Sequence, residues 1–258
     1  MSSTRLSSQP STARRRRRKR RVVNVRRLIL ALLLTALAAE LAVVVLTSPR
    51  FAIEKIRVVG TRIVPSTQVT GEIKYLIGSN IFAVKKELIA AQLTRNPVIT
   101  GVRLRRKLPR TLVVEITERK GHLVLNTGAG LYEVDRSGIA FRKVSAANPN
   151  LPMVCCPFSG RIVLGKRVRF PAFASARYCL IKAQEIKAFR VAKISVDPDG
   201  HLCLNVREGF EVRLGRPEQI GVKLDIVSRL VQQTPEFRRR GVYVDVTCPE
   251  APACKLAQ

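Results

Sequence analysis

The chain has 258 residues, with 47 Lys and Arg against 18 Asp and Glu and a formal charge of +29 at pH 7. So large an excess excludes a neutral surface and calls for an anionic counterpart, either nucleic acid or the anionic face of a membrane. Two histidines leave little material for histidine-based catalysis.

Residues 1–13 are rich in Ser and Thr and have the composition of a disordered segment. Arg14, Arg15, Arg16, Arg17, Arg18, Lys19, Arg20 and Arg21 follow, then Arg26 and Arg27, and no acidic residue comes before them. Leu28–Leu46 is an apolar run broken only by Thr35 and Glu40. As a helix it is long enough to cross a bilayer, and helix is the form that satisfies the backbone there. Cations on the N-terminal side place that end in the cytoplasm and everything after the span outside, with the basic cluster against anionic headgroups. The reading is a basic cytoplasmic tail over 1–27 and one transmembrane helix over 28–48. Ala36-Leu37-Ala38 mimics a signal-peptidase site, but cutting there would leave Leu41–Leu46 exposed, so the span reads as an uncleaved anchor. Ala31, Thr35, Ala38, Ala39 and Ala42 form a small-residue stripe, with Glu40 on roughly the opposite side. No nucleic acid is expected as partner, because the basic residues beyond the span are not interleaved with aromatic stacking platforms.

Beyond Thr47-Ser48-Pro49, Phe51–Gly60 reads as a strand closed by Gly. Pro65 starts a helix with Val69, Ile73, Leu76 and Ile77 at apolar spacing. Gly78-Ser79-Asn80 turns, and Val84–Leu93 is a second helix with Val84, Leu88, Ile89 and Leu93 on one face. Val98–Arg106 alternates as a strand, Lys107-Leu108-Pro109-Arg110 turns, and Leu112, Val114 and Ile116 line the returning strand. The order is β-α-α-β-β on one small sheet. Arg103, Arg105, Arg106, Lys107 and Arg110 make a basic rim near its hairpin, open to acidic partners or headgroups.

These residues carry a resemblance. Phe51, Ile53, Ile56, Val58 and Gly60, then Gly78-Ser79-Asn80-Ile81-Phe82, Asn96-Pro97-Val98-Ile99 and the run Val102 to Glu118-Arg119 resemble the POTRA domain of the FtsQ/DivIB bacterial cell-division proteins. A short basic tail, one span, a POTRA domain and a following β domain is that family's architecture. The fold class expected is therefore α+β: one N-terminal transmembrane helix, a POTRA domain over 51–119, a mixed antiparallel β domain with two helices over 120–248, and a C-terminal tail over 249–258.

The second domain is read from its own residues. Leu123–Asn126 and Leu131–Phe141 are strands, the latter a hairpin turned at Arg136-Ser137-Gly138, and Leu151-Pro152 begins a loop. Phe173–Phe189 and Pro217–Gln233 are helices. Val191–Val196 and His201–Arg207 form a hairpin around Asp197-Pro198-Asp199-Gly200, Phe210–Gly215 follows, and Gly241–Thr247 is the last strand.

No catalytic constellation emerges, so the chain reads as a binding protein and not an enzyme, with no cofactor, metal or small-molecule substrate. His122 and His201 sit beside strands, Gly128-Ala129-Gly130 precedes a strand rather than a helix, and Asp135, Asp197 and Asp199 sit in turns. All six cysteines follow the span, and Cys248 and Cys254 are the pair that could bridge. The binding site expected is the last strand, Tyr243, Val244, Asp245, Val246 and Thr247, as a sheet edge accepting an added strand. The family resemblance implies that an FtsB–FtsL complex is recruited there, making the protein a divisome scaffold at the septum of the cytoplasmic membrane. The alternatives are a POTRA-bearing envelope assembly or secretion component and a membrane-tethered nucleic-acid-binding protein. Cys248-Pro249-Glu250-Ala251-Pro252-Ala253-Cys254 departs from the family pattern, since Pro cannot continue a ladder.

Overall fold

The computed structural model describes residues 25–234 and 236–257. The basic cluster from Arg14 to Arg21 lies outside them; Arg26 and Arg27 occupy the first turns of the N-terminal helix. That helix, α1, runs Val25–Thr47, and none of its residues is buried. At about 1.5 Å per residue it is long enough to cross the roughly 30 Å of a hydrocarbon core. Its threonine hydroxyls are satisfied locally, Thr35 donating to the Leu32 carbonyl at 2.8 Å and Thr47 to that of Val43 at 2.7 Å.

A three-stranded sheet follows. Its elements are β1 (Lys55–Val59), α2 (Ser66–Glu72), α3 (Lys86–Leu93), β2 (Ile99–Lys107) and β3 (Thr111–Glu118). The sheet order is β1-β3-β2, with β1 parallel and β2 antiparallel to the central β3. Alternation along β3 buries Leu112, Val114 and Ile116 beneath the helices, where Val69, Ile73, Ile89 and Leu93 meet them. Leu88, expected on the inner face, is 65% exposed. The stripe that packs is Ile89 and Leu93, and Leu88 lies about 100° round the helix from Ile89. Gly60 closes β1 at φ +89°, where a Cβ would stand 2.2 Å from the Ile116 carbonyl oxygen, so only glycine fits. The loop after it is held by Glu118, whose carboxylate accepts the N–H groups of Ile63 and Val64 at 2.9 Å.

The remaining strands form one nine-stranded sheet. They are β4 (Leu123–Asn126), β5 (Leu131–Val134), β6 (Ala140–Val144), β7 (Met153–Cys155), β8 (Val191–Val196), β9 (Leu202–Val206), β10 (Glu211–Gly215), β11 (Gly241–Asp245) and β12 (Ala253–Leu256). Between them lie α4 (Pro171–Glu185), α5 (Ile220–Gln233) and the single turn α6 (Phe237–Arg240). The order across the sheet is β12-β11-β10-β9-β8-β7-β4-β5-β6. Helices α4 and α5 cover one face over a core that includes Phe173, Leu180, Leu204, Leu224 and Val244. The opposite face is polar and crossed by rows such as Tyr243, Glu211, Asn205 and Lys193.

Two features depart from the reading of the sequence. The loop expected from Leu151 contains β7, which lies in mid-sheet, parallel to both β4 and β8. Three residues behind a proline carry no measurable period, so their neighbours define the strand. The tail expected over 249–258 contributes β12, antiparallel to β11. Pro249 and Pro252 occupy the connecting turn, closed by the Ala251 N–H on the Cys248 carbonyl, and stay out of the ladder.

The two sheets meet at a joint. Phe141 on β6 is 1% exposed and belongs to the core of the three-stranded sheet, not its own. Arg119, at the end of β3, donates from Nε to the Pro97 carbonyl at 3.1 Å and pairs through Nη1 with Asp135 in the β5–β6 turn. Asp135 also accepts from Ser137 Oγ at 2.6 Å and the Ile139 N–H at 2.9 Å.

The joint is built to fail in acid. Burial pushes the Asp135 carboxyl up, but Ser137, Ile139 and Arg119 outweigh it and hold it below its ordinary 3.8. Glu118 is held below 4.5 in the same way: burial opposes, and the Val64, Ile63 and Arg62 N–H groups win. Burial, then the Arg136 and Arg177 charges, lower His122 below 6.5 against the pull of Asp135. For all three the unfolded chain binds protons first as pH falls. Stability should therefore decline below about pH 6.5 through His122 and again through the carboxylate range. Melting temperature measured from pH 7 to pH 3 checks this. His122→Gln should flatten the upper part and Asp135→Asn the lower; an unchanged melting temperature from pH 7 to pH 4 would refute it.

Candidate functional site

The strand expected as the free edge, Tyr243–Thr247, is not one. β11 lies between two partners: Tyr243 faces Glu211 on β10 and Lys255 on β12, and Asp245 faces Arg213 and Ala253. The edge reading failed because it took β11 for the last strand, and the chain turns back once more. The five residues also divide by task. Val244 and Val246, 1% and 0% exposed, are core. Tyr243 lies on the polar face under the Arg213 guanidinium, 4.4 Å from the ring centre, and Arg213 is steadied by Glu211 at 2.8 Å. Asp245 accepts the Thr247 N–H at 3.0 Å and so bends the chain into the turn.

The open edge is β12. All four of its residues are exposed, and among the described residues β11 is the one strand it pairs with. The other end of the sheet is not equivalent. There the start of β6 is covered by the segment 165–168, with the Gly165 N–H on the Ala140 carbonyl at 2.8 Å and a bridge from Ile139 to Arg167. On the smaller sheet, the outer strand β2 carries Arg103, Arg105 and Lys107, cations of the kind that deter edge pairing. Of the basic rim, Arg105 pairs with Glu115 at 3.0 Å, Arg110 pairs with Glu54, and Arg106 turns inward to cap loop carbonyls.

The bridge expected between Cys248 and Cys254 is not formed; both are free and exposed. The ladder sets Cys254 opposite Val244, four residues from Cys248, and the β11–β12 pairing holds the hairpin instead. Burial pushes the Cys156 and Cys179 thiols up to about 12 and Cys203 up to about 11, which keeps them protonated rather than nucleophilic. Asp197, Asp199 and His201 gather on the β8–β9 turn with ligand atoms within 4.8 Å. Asp197 is occupied in closing that turn, accepting the His201 main-chain N–H at 2.7 Å and lying 3.1 Å from its Nδ1.

The comparisons follow the same division. Residues 51–119 match the family model described as POTRA domain, FtsQ-type, and residues 123–247 match that of cell division protein FtsQ/DivIB, C-terminal. The chain is similar to cell division protein FtsQ of Streptomyces venezuelae, 26% identical over 209 residues, covering 79% of this chain and 74% of that protein. It is similar to cell division protein DivIB of Clostridium acetobutylicum, 24% identical over 212 residues, covering 81% and 85%. It is also similar to cell division protein FtsQ of Streptomyces collinus, 28% identical over 231 residues, covering 86% and 85%. With the β-α-α-β-β sheet under one family model and most of the nine-stranded sheet under the other, the chain belongs to the FtsQ/DivIB family of cell-division proteins.

Proposed function

We propose that this chain is a single-pass divisome scaffold that works by holding other membrane proteins and not by catalysis. Its N-terminus lies in the cytoplasm, α1 crosses the cytoplasmic membrane, and both sheets stand outside at the septum. The observation that carries the reading is the β12 edge of the nine-stranded sheet, all four of whose residues are exposed. Such an edge offers a row of unpaired N–H and C=O groups that one strand of a partner satisfies in register. The partner is an FtsB–FtsL-like pair, which adds a strand beyond β12 rather than at Tyr243–Thr247. The raised thiols and the turn-closing role of Asp197 favour binding over chemistry. Anionic headgroups hold the basic tail.

Depletion of the protein tests the role. A scaffold for division predicts filamentous cells with failed septa and normal envelope protein content. Normal septation with loss of outer-membrane proteins would refute it and favour an envelope-assembly role.

A further inference from the structure

We infer that the end of the POTRA domain next to α1 is a docking surface for anionic lipid headgroups, so that the domain lies on the bilayer and does not merely hang from it. This rests on the single-pass reading. The chain leaves α1 at Thr47, and by Phe51 it is already part of the domain, with the Ile81 N–H on the Phe51 carbonyl at 2.8 Å and a bridge from Ala52 to Asn80. So few residues reach little more than about 14 Å even when fully extended. Asn80 Nδ2 closes the gap further, donating to the Val45 carbonyl of α1 at 2.9 Å. This end of the domain therefore sits at the level where α1 leaves the hydrocarbon.

The same end is tied into one rigid platform. The Arg106 guanidinium donates to the carbonyls of Ile81, Phe82 and Val84 at 2.7, 3.2 and 3.2 Å. Arg110 Nε donates to the Arg50 carbonyl at 3.3 Å, and the Glu54 N–H to the Arg110 carbonyl at 2.9 Å. From this platform Arg50, Lys55, Lys85 and Lys107 project as exposed cations, and Leu108 stands 55% exposed at the tip of the β2–β3 turn. The acidic groups nearby are Glu54, neutralised by Arg110, and Glu87. Cations around one apolar tip suit a headgroup layer: phosphates meet the charges and Leu108 enters the interface. The surface lies beside the membrane helix, and that continuity names the lipid as occupant over an acidic protein.

The natural chain has no tryptophan, so Leu108→Trp supplies a single reporter. The full chain goes into nanodiscs whose lipids carry brominated acyl chains, made of phosphatidylcholine with or without phosphatidylglycerol. Tyr178→Trp on α4 is the control at another exposed site. With phosphatidylglycerol present, the indole at 108 should shift to the blue and be quenched, and the one at 178 should not. Lys85→Glu and Lys107→Glu should each weaken the docking equilibrium about fivefold or more. Equal quenching at both sites, or quenching at 108 indifferent to lipid charge, overturns the proposal. So does a blue shift at 108 that requires an added division protein instead of phosphatidylglycerol. A chain that enters the discs and shows no quenching at 108 overturns docking alone; one that fails to enter them overturns the span as well.

Discussion

Leu256→Pro should abolish capture of an FtsB–FtsL pair while leaving the protein folded. The Ala257 N–H points inward, donating to the Arg240 carbonyl at 2.6 Å. Backbone groups alternate sides along an antiparallel strand, so Ala253 and Lys255 also point toward β11, and Cys254 and Leu256 point away from it. Proline at 256 removes an outward N–H and sets its ring in the path of an added strand. Edge strands tolerate proline on their open side. Capture should fall about 100-fold or more, roughly 3 kcal/mol, with a stability change within about 0.5 kcal/mol. Lys255→Pro is the converse: it cancels a β11–β12 bond and should release β12 from the sheet. Val244→Pro is a poorer probe, because Val244 is core and flanked by two strands, so loss of capture would report unfolding. Titration of full-length variants against immobilised partner, with melting curves alongside, reads both quantities. Undiminished capture by Leu256→Pro would end the strand-addition reading.

That site shows where sequence reading stops. Period-two alternation gave β2 and β3 almost residue for residue, because Leu104, Leu112, Val114 and Ile116 must all point one way. The turn residues Asp197-Pro198-Asp199-Gly200 located the β8–β9 hairpin for the same local reason. Which strand lies outermost is a different kind of fact. β12 has no buried side chain, so no pattern records it; it exists because β11 offers it an edge. β7 is equally mute, three residues whose pairing on both sides comes from β4 and β8. Val244 is apolar and alternating in the sequence, yet alternation cannot separate a strand that receives a partner from one already enclosed.

Phe141 was legible only as a strand residue, and its task is to join the two sheets. Phe141→Ala should cost about 3–5 kcal/mol, the usual range for emptying a buried phenylalanine site. The more telling result is cooperativity. Phe141 sits among the side chains of the three-stranded sheet while its backbone belongs to β6, so its ring links two cores. Arg119 is the polar counterpart, binding Pro97 on one side and Asp135 on the other. Arg119→Ala strands a carboxylate that is 12% exposed and should cost several kcal/mol, in the ~3–5 range for a broken buried pair. With both links gone, unfolding should separate into two calorimetric transitions, one for each sheet, and the unsubstituted protein should unfold in one. Phe141→Leu, which keeps an apolar side chain in the site, should retain the single transition at a lower temperature. If Phe141→Ala/Arg119→Ala still unfolds in one step, the sheets are coupled elsewhere and the joint is not what holds β12 in a fixed place relative to α1. If the transitions separate and partner capture in the membrane weakens while the β12 sequence is untouched, the joint sets the position at which the open edge is presented to a strand from a neighbouring membrane protein.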